Sequence, residues 1–157
     1  MSFDTYLTAE GVMLDVVSTS KKQLFQLMAE KLVTLPALGS KNLNARDVVN
    51  AIMERERLGT TGVGSGVALP HARLDDVDAV HAVFARLETP LDYEAVDDVP
   101  VDLVVLLVAP TDAGGAHLRA LAQFSRRLRR EETRARLRMA PDMQSLFISI
   151  STQANAA

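Results

Sequence analysis

Cysteine is absent from the 157 residues, so no disulfide framework, thiolate nucleophile or cysteine metal site is available. Tryptophan is absent too, and aromatics make up only 4% of the chain, which removes the stacking platforms expected of a nucleic-acid binder. No apolar run approaches the roughly 18 residues a membrane span needs; the longest, Leu103 to Pro110, has the length of a strand. The N-terminus lacks a basic flank leading into an apolar core, so there is no secretory signal. These absences fit a reducing, cytoplasmic setting without a membrane span, nucleic acid or cofactor.

The acid–base balance is uneven. Residues 1–115 hold 9 basic and 17 acidic side chains, whereas residues 116–157 hold 8 basic, all arginine, and 3 acidic. Asymmetry of this kind belongs either to a solvated helix face or to a surface for an acidic partner. At 157 residues, with 48% hydrophobic and 24% charged residues, the chain is long enough to bury a core and is expected to form a single domain over 1–157, its core about 7–150 and its tail from Ser151 to Ala157 frayed.

Residues 1–19 give only a mixed lead-in. Ser20 and Gln23 have the spacing of a capping box, and Leu24, Phe25, Met28, Ala29 and Leu32 recur at helical spacing to about Val33, with Pro36 and Gly39 closing the helix. Asn44 caps a second helix whose core side is Val48, Val49, Ile52 and Met53, and Gly59 is expected to end it in the left-handed conformation. Arg55 and Arg57 lie in its last turn, where cations favour the negative helix end. A strand is expected from about Val80 to Leu87, with His81 structural, then a turn at Thr89-Pro90. Val101 to Ala109, apolar apart from Asp102, reads as a central strand buried on both faces. A loop with Gly114 and Gly115 opens a helix near Ala116, with Leu118, Leu121, Phe124 and Leu128 on one face and His117 in the first turn. There unpaired N–H groups and the helix dipole favour an anion and disfavour a protonated imidazole. The arginine-rich segment continues to Arg138, and Asp142 caps a last helix with Leu146, Phe147 and Ile150. Alternating helices and apolar strands indicate an α/β domain.

The most informative stretch is Thr60–Arg73, Thr-Thr-Gly-Val-Gly-Ser-Gly-Val-Ala-Leu-Pro-His-Ala-Arg. Gly62, Gly64 and Gly66 allow positive φ and close approach, Val67-Ala68-Leu69 suffices for one buried strand, and Pro70 stiffens the backbone before His71. Familiar phosphate motifs fail here. The segment has no Gly-Lys-Ser/Thr ending, its glycines are spaced G-x-G-x-G after a helix, and no G-x-S-x-G elbow surrounds Ser65. His71 and His117 alone do not make a metal site. What remains is histidine as a covalent nucleophile: a neutral imidazole attacks a phosphoryl group in line, with the glycine-segment N–H groups, the Arg55 guanidinium and His117 available to the phosphoryl oxygens.

The run Arg55-Glu-Arg-Leu-Gly59-Thr-Thr61-Gly62-Val-Gly64-Ser-Gly-Val-Ala-Leu-Pro70-His71, with Leu87–Leu91, Pro100–Leu103 and Ala116-His117-Leu118, resembles the mannitol/fructose-type IIA domains of the bacterial phosphoenolpyruvate-dependent phosphotransferase system. Those middle segments, with the absence of a fused transport domain, make it most similar to their nitrogen-regulatory branch. The resemblance implies a three-layer α/β/α fold with a mixed central sheet. It implies His71 as the phosphorylated residue through Nε2, Arg55 as the residue steadying the phosphoryl group and His117 as the second active-site histidine. It also implies an HPr-like donor (NPr), charged in turn by an enzyme I homologue, and regulated targets such as potassium-transport or sensor-kinase components. Arg57 stands where many members have lysine, and His81 matches no family motif. Two other readings stay open: a sugar-specific IIA passing phosphate to a IIB cysteine, and a non-catalytic anion-binding or scaffold module of the same fold.

Overall fold

A computed structural model describes residues 6–38 and 42–151. Its elements run β1 (Val12–Val16), α1 (Lys21–Val33), α2 (Ala45–Leu58), β2 (Gly62–Gly64), β3 (Val67–Ala68), β4 (His71–Leu74), β5 (His81–Leu91), β6 (Val101–Pro110), α3 (Gly115–Arg129), α4 (Glu131–Met139) and α5 (Met143–Ser151). Local chemistry starts the helices where the sequence indicates. Ser20 Oγ accepts from the Gln23 N–H, Asn44 Oδ1 from the Asp47 N–H and Asp142 Oδ1 from the Ser145 N–H, each supplying a partner to an N–H that the helix cannot pair. Gln23 returns the contact to the N–H of Thr19 rather than to Ser20.

The strands form one mixed sheet in the order β1-β5-β6-β3-β2, with β4 also paired to β6. β5 and β6 are antiparallel; β1 runs parallel to β5, and β3 and β4 run parallel to β6. β3 and β4 follow one track. Val67 opposes Leu103 and His71 opposes Leu107, so the register is unchanged across Leu69 and Pro70, and Pro70 still accepts from the Leu107 N–H at 2.9 Å.

Period-2 alternation along β6 divides the core. Val104, Leu106 and Val108 join Leu24, Phe25, Met28, Val48 and Ile52 of α1 and α2 on one face. Leu103, Val105, Leu107 and Ala109 join Phe124, Leu128, Leu137, Leu146 and Ile150 of α3–α5 on the other. This is the expected three-layer α/β/α arrangement around a mixed sheet, and Val101–Pro110 is the strand buried on both sides, Asp102 alone being half-buried.

Several local expectations need correction. The lead-in contains β1, a five-residue strand whose central residues are only partly buried, so no alternation marks it. Thr89 and Pro90 do not turn the chain: β5 runs through them to Leu91, and the register against β6 shifts between Arg86 and Leu91. Such an irregularity accommodates a proline that has no N–H to give. Gly59 ends α2 in an extended conformation, φ 158° and ψ 151°, not a left-handed one. Leu118 is exposed because the buried stripe of α3 is His117, Ala120, Phe124 and Leu128. The arginine-rich segment is two helices, broken at Arg130 with ψ 123°. Gly39 and the tail beyond Ser151 lie outside the described residues.

Arginine side chains close the helices of the second layer. Arg134 Nη1 donates to the Leu128 and Arg129 carbonyls at the end of α3. Arg86 donates to those of Leu137 and Ala140 around the end of α4, and Arg127 to those of Ile150 and Ser151 at the end of α5. Each guanidinium meets carbonyls that the helix leaves unpaired, at the negative end of the dipole. Phe124, fully buried where α3 meets the sheet, is the test of this layer. Phe124→Ala is expected to cost about 3–5 kcal/mol, read as a lowered urea midpoint at unchanged slope.

Candidate functional site

His71 is the first residue of β4, set immediately after the proline that interrupts the β3–β4 track. Val67 and Leu69 belong to the core under α3–α5, and Ala68 and Ala72 to the opposite core; alternation therefore turns His71 toward α3. There it meets His117 from the first turn of α3, with ring centroids 5.2 Å apart and planes at 60°. Two histidines 46 positions apart in sequence thus form one site, because β4 lies beside β6 and α3 follows directly from β6.

The tautomer of His71 follows from one contact. Its Nδ1 lies 2.8 Å from the Leu69 carbonyl oxygen. A carbonyl only accepts, so Nδ1 carries the proton and the neutral ring keeps its lone pair on Nε2. Burial lowers the His71 pKa. The Leu69 hydrogen bond opposes this, the Arg55 charge adds to it, and the Glu56 charge works against it. His117 is pushed further, to about 4, first by burial and then by the charges of His71 and Arg73. The buried Nδ1 of His117 has no hydrogen-bond partner. Both rings are consequently neutral near pH 7, and the site's fixed positive charge comes from arginine.

Arg55, in the last turn of α2, donates to the Gly59 carbonyl at 3.0 Å. It lines two cavities that also share His71. One, about 310 Å³, is bounded by Thr60, Thr61, Val63, Leu69 and, from α3, Leu121, Ala122 and Ser125. The other, about 460 Å³, is bounded by Ala51, Leu58, Arg73 and His117. The expected trio of Arg55, His71 and His117 therefore converges on one region.

The glycines are placed differently. β2 and β3 pair antiparallel as a hairpin, with Gly64 and Gly66 at φ 106° and 80° through its turn. That turn faces Asp97, Asp102 and Arg138: the Ser65 N–H donates to Asp97, and Arg138 donates to the Ser65 carbonyl. Gly62 is needed for space, since a Cβ there would lie 2.6 Å from that of Ala95. None of Gly62, Gly64 and Gly66 lines either cavity at His71. The expected backbone cradle of glycines does not line these cavities: the hairpin turns the glycines to anchor its own tip, and Thr60, Thr61 and Val63 line the smaller cavity instead.

Sequence reasoning missed Arg73 and the support beneath Arg55. The Glu56 side chain, only 6% exposed, accepts from Lys21 Nζ at 2.9 Å and from the Thr61 N–H and hydroxyl at 3.1 and 2.5 Å. Tyr93 hydroxyl lies 2.7 Å from that of Thr61. Burial alone would raise the Glu56 pKa; the hydrogen bonds from Thr61 and Lys21, with the Lys21 charge, outweigh it and lower it. This network fixes the end of α2 to the start of the hairpin and so spans the residues from Arg55 toward His71. Its sequence signal was Glu56 itself, four residues after buried Ile52 and hence on the apolar stripe. An acid there demands partners. Among the described residues, no cluster of three or more His, Cys, Asp or Glu could hold a metal.

The family model described as phosphoenolpyruvate-dependent sugar phosphotransferase system, EIIA 2, matches residues 5–152. A nitrogen regulatory protein of Bradyrhizobium diazoefficiens is 40% identical over 147 residues, covering 94% of this chain and 93% of that one. A fructose-specific EIIA component of Haloferax volcanii is 36% identical over 111 residues, covering 70% and 72%. The crystal structure of the nitrogen regulatory protein IIA-Ntr from Neisseria meningitidis superimposes with a TM-score of 0.84 at 30% identity, over 92% of this chain and 95% of that one.

The two imidazoles make a pH prediction. By NMR, His117 is expected to titrate near pH 4 and His71 below the ordinary histidine value. The unfolded chain takes up these protons near pH 6.5 while the native state refuses them. Stability is therefore full above about pH 6.5 and falls as the pH drops toward 4. A His117→Gln variant is expected to lose part of that slope in urea denaturation measured across this range.

Proposed function

The chain belongs to the phosphoenolpyruvate-dependent sugar phosphotransferase system EIIA 2 family. From that premise we propose that it is a regulatory phosphocarrier whose phosphoryl group resides on Nε2 of His71. The observation that carries this reading is the Nδ1 contact with the Leu69 carbonyl, which leaves Nε2 as the nucleophile. In the transfer, the Nε2 lone pair forms a bond to phosphorus while the phosphorus–nitrogen bond to the donor's histidine breaks, its electron pair returning to the donor ring. The His71 proton stays on Nδ1, held by Leu69, and stabilises the positive charge that the ring acquires. Little else is asked of the protein beyond positioning and charge. Arg55 offers a guanidinium to the phosphoryl oxygens, and neutral His117 offers an imidazole without adding a cation that would repel the reacting ring.

The donor under this proposal is an HPr-like carrier (NPr), itself charged by an enzyme I homologue. The output is the choice of partner, because the phosphoryl group brings roughly −1.5 to −2 charges to a surface previously dominated by Arg55 and Arg73. The high-coverage likeness to nitrogen regulatory proteins supports regulation as the role, with targets of the potassium-transport or sensor-kinase kind as its specific form. One observation favours a second reading: the likeness to a fructose-specific EIIA component, under which the phosphoryl group passes on to a cysteine of a separate IIB domain.

Incubation with phosphoenolpyruvate, an enzyme I homologue and an HPr-like carrier, followed by intact mass measurement, tests the proposal. The wild type is expected to gain one acid-labile phosphoryl group and His71→Ala none. Arg55→Ala is expected to be charged about 10²-fold more slowly. Stoichiometric charging of His71→Ala would overturn the assignment. Rapid loss of the label to an added fructose-type IIB domain would select the sugar-transfer reading.

A further inference from the structure

The solvent face of α3 is set by its buried stripe. With His117, Ala120, Phe124 and Leu128 inward, the 100° step per residue puts Arg119, Ala122, Arg126 and Arg129 along the opposite side. All three arginines are exposed, none forms an ion pair among the described residues, and α3 contains no acidic residue. This distinguishes them from Arg86, Arg127, Arg134 and Arg138, whose guanidinium groups are committed to carbonyls or to Asp102. Helix capping by Arg127 and Arg134 and the Arg138–Asp102 contact therefore account for three of the eight arginines of residues 116–157 and leave this row without a structural task.

Beside the row runs a groove. The 310 Å³ cavity at His71 and a further cavity of about 210 Å³ share Val63 and Ser125 as walls. The second continues along the hairpin past Gly64 and Ser65 to Arg129 and Arg134. Its walls are the β2–β3 hairpin on one side and α3 on the other, with Val63 half exposed; Leu118, largely exposed, lies one turn of α3 before Leu121 and Ala122. From Leu118 to Arg129 α3 rises about 16 Å, the length of about five extended residues.

We propose that this groove and the Arg119–Arg126–Arg129 row form a docking surface for an acidic, extended segment of a partner protein, with apolar side chains seated against Val63, Leu118 and Leu121. Charge complementarity selects the occupant: the arginine row borders the groove through Ala122 and Arg129, and the wall residues of the groove include no acid. No phenylalanine, tyrosine or tryptophan lines the groove for bases to stack on, and the chain as a whole carries a charge of −3, so a polyphosphate backbone is a poorer match. The groove begins at His71. On the proposed phosphocarrier reading, a phosphoryl group there engages Arg55 and places like charge at the mouth of the channel, so the acidic segment prefers the unmodified protein.

The test uses the unmodified full chain and a fluorescein-labelled peptide of alternating glutamate and valine, followed by anisotropy, and therefore does not depend on phosphorylation. The peptide is expected to bind, to weaken as salt is raised, and to bind about tenfold more weakly to Arg126→Glu/Arg129→Glu, a change at exposed positions that leaves the circular dichroism spectrum intact. Equal binding by the glutamine counterpart of the peptide, or by the charge-reversed variant, would overturn the proposal. So would tighter binding of single-stranded oligonucleotide than of peptide, or sedimentation showing that the row joins two copies of this chain. Repeating the titration on phosphorylated protein isolates the coupling: a several-fold loss is expected, and unchanged affinity would remove the coupling while leaving both the docking surface and the phosphocarrier assignment.

Discussion

Burial of β6 on both faces is the constraint from which the rest follows. A strand with eight consecutive buried residues, Leu103 to Pro110, cannot lie at an edge or under a single layer. It demands ordered chain on both flanks and helices on both faces. Antiparallel β5 fills one flank, and the β3–β4 track fills the other at a constant register. The register positions the site, since it sets His71 opposite Leu107, three residues before β6 ends and the chain leads on to α3. A slip of one residue would turn His71 toward α1 and α2 and away from His117. The core thus fixes the chemistry of the surface, although none of its residues touches the reacting atoms.

How much of this was legible depended on whether the signal was local. The capped starts of α1, α2 and α5 were, because Ser20, Asn44 and Asp142 act within one turn. The continuous apolar run of β6 was, because both-face burial leaves no alternation to misread. β1 was not. Its short Val-Met-Leu-Asp-Val run is half exposed, includes Asp15 at φ 54°, and becomes a strand only by pairing with β5. Pro90 was misread for a related reason: a proline signals a turn unless the ladder makes room for it, and that decision is taken by β6. Within the site, His71, Arg55 and His117 could be named from their motif, but the hairpin's use of its glycines could not. Their partners, Asp97, Asp102 and Arg138, are distant in sequence.

The arginine excess of residues 116–157 is similarly divided. A guanidinium that donates to two terminal carbonyls does the work of a C-cap, and Arg127 and Arg134 do so for α5 and α3, joined by Arg86 for α4. Short helices of nine residues are marginal in isolation, which explains why the second layer is tied together by such contacts. Sequence alone cannot separate these arginines from the exposed row on α3. All eight have the same side chain, and only the path of the chain decides which guanidinium finds a carbonyl.

At the site itself, the same electrostatics suit both the unmodified state and the phosphorylated state proposed for it. Arg55 near His71, and Arg73 near His117, help to disfavour imidazolium, and a protonated ring has no lone pair with which to attack phosphorus. On the proposed phosphocarrier reading, a phosphoryl group on His71 reverses the sign of the interaction: a guanidinium that repelled a proton would attract an anion of roughly −1.5 to −2 charges. A lysine-poor, arginine-lined pocket suits this double duty, because guanidinium stays charged through the whole working range and bonds oxygen pairs in a fixed fork. Burial contributes in the same direction, keeping both rings neutral at the cost of stability in acid. The unpartnered Nδ1 of His117 is a further cost of the resting state.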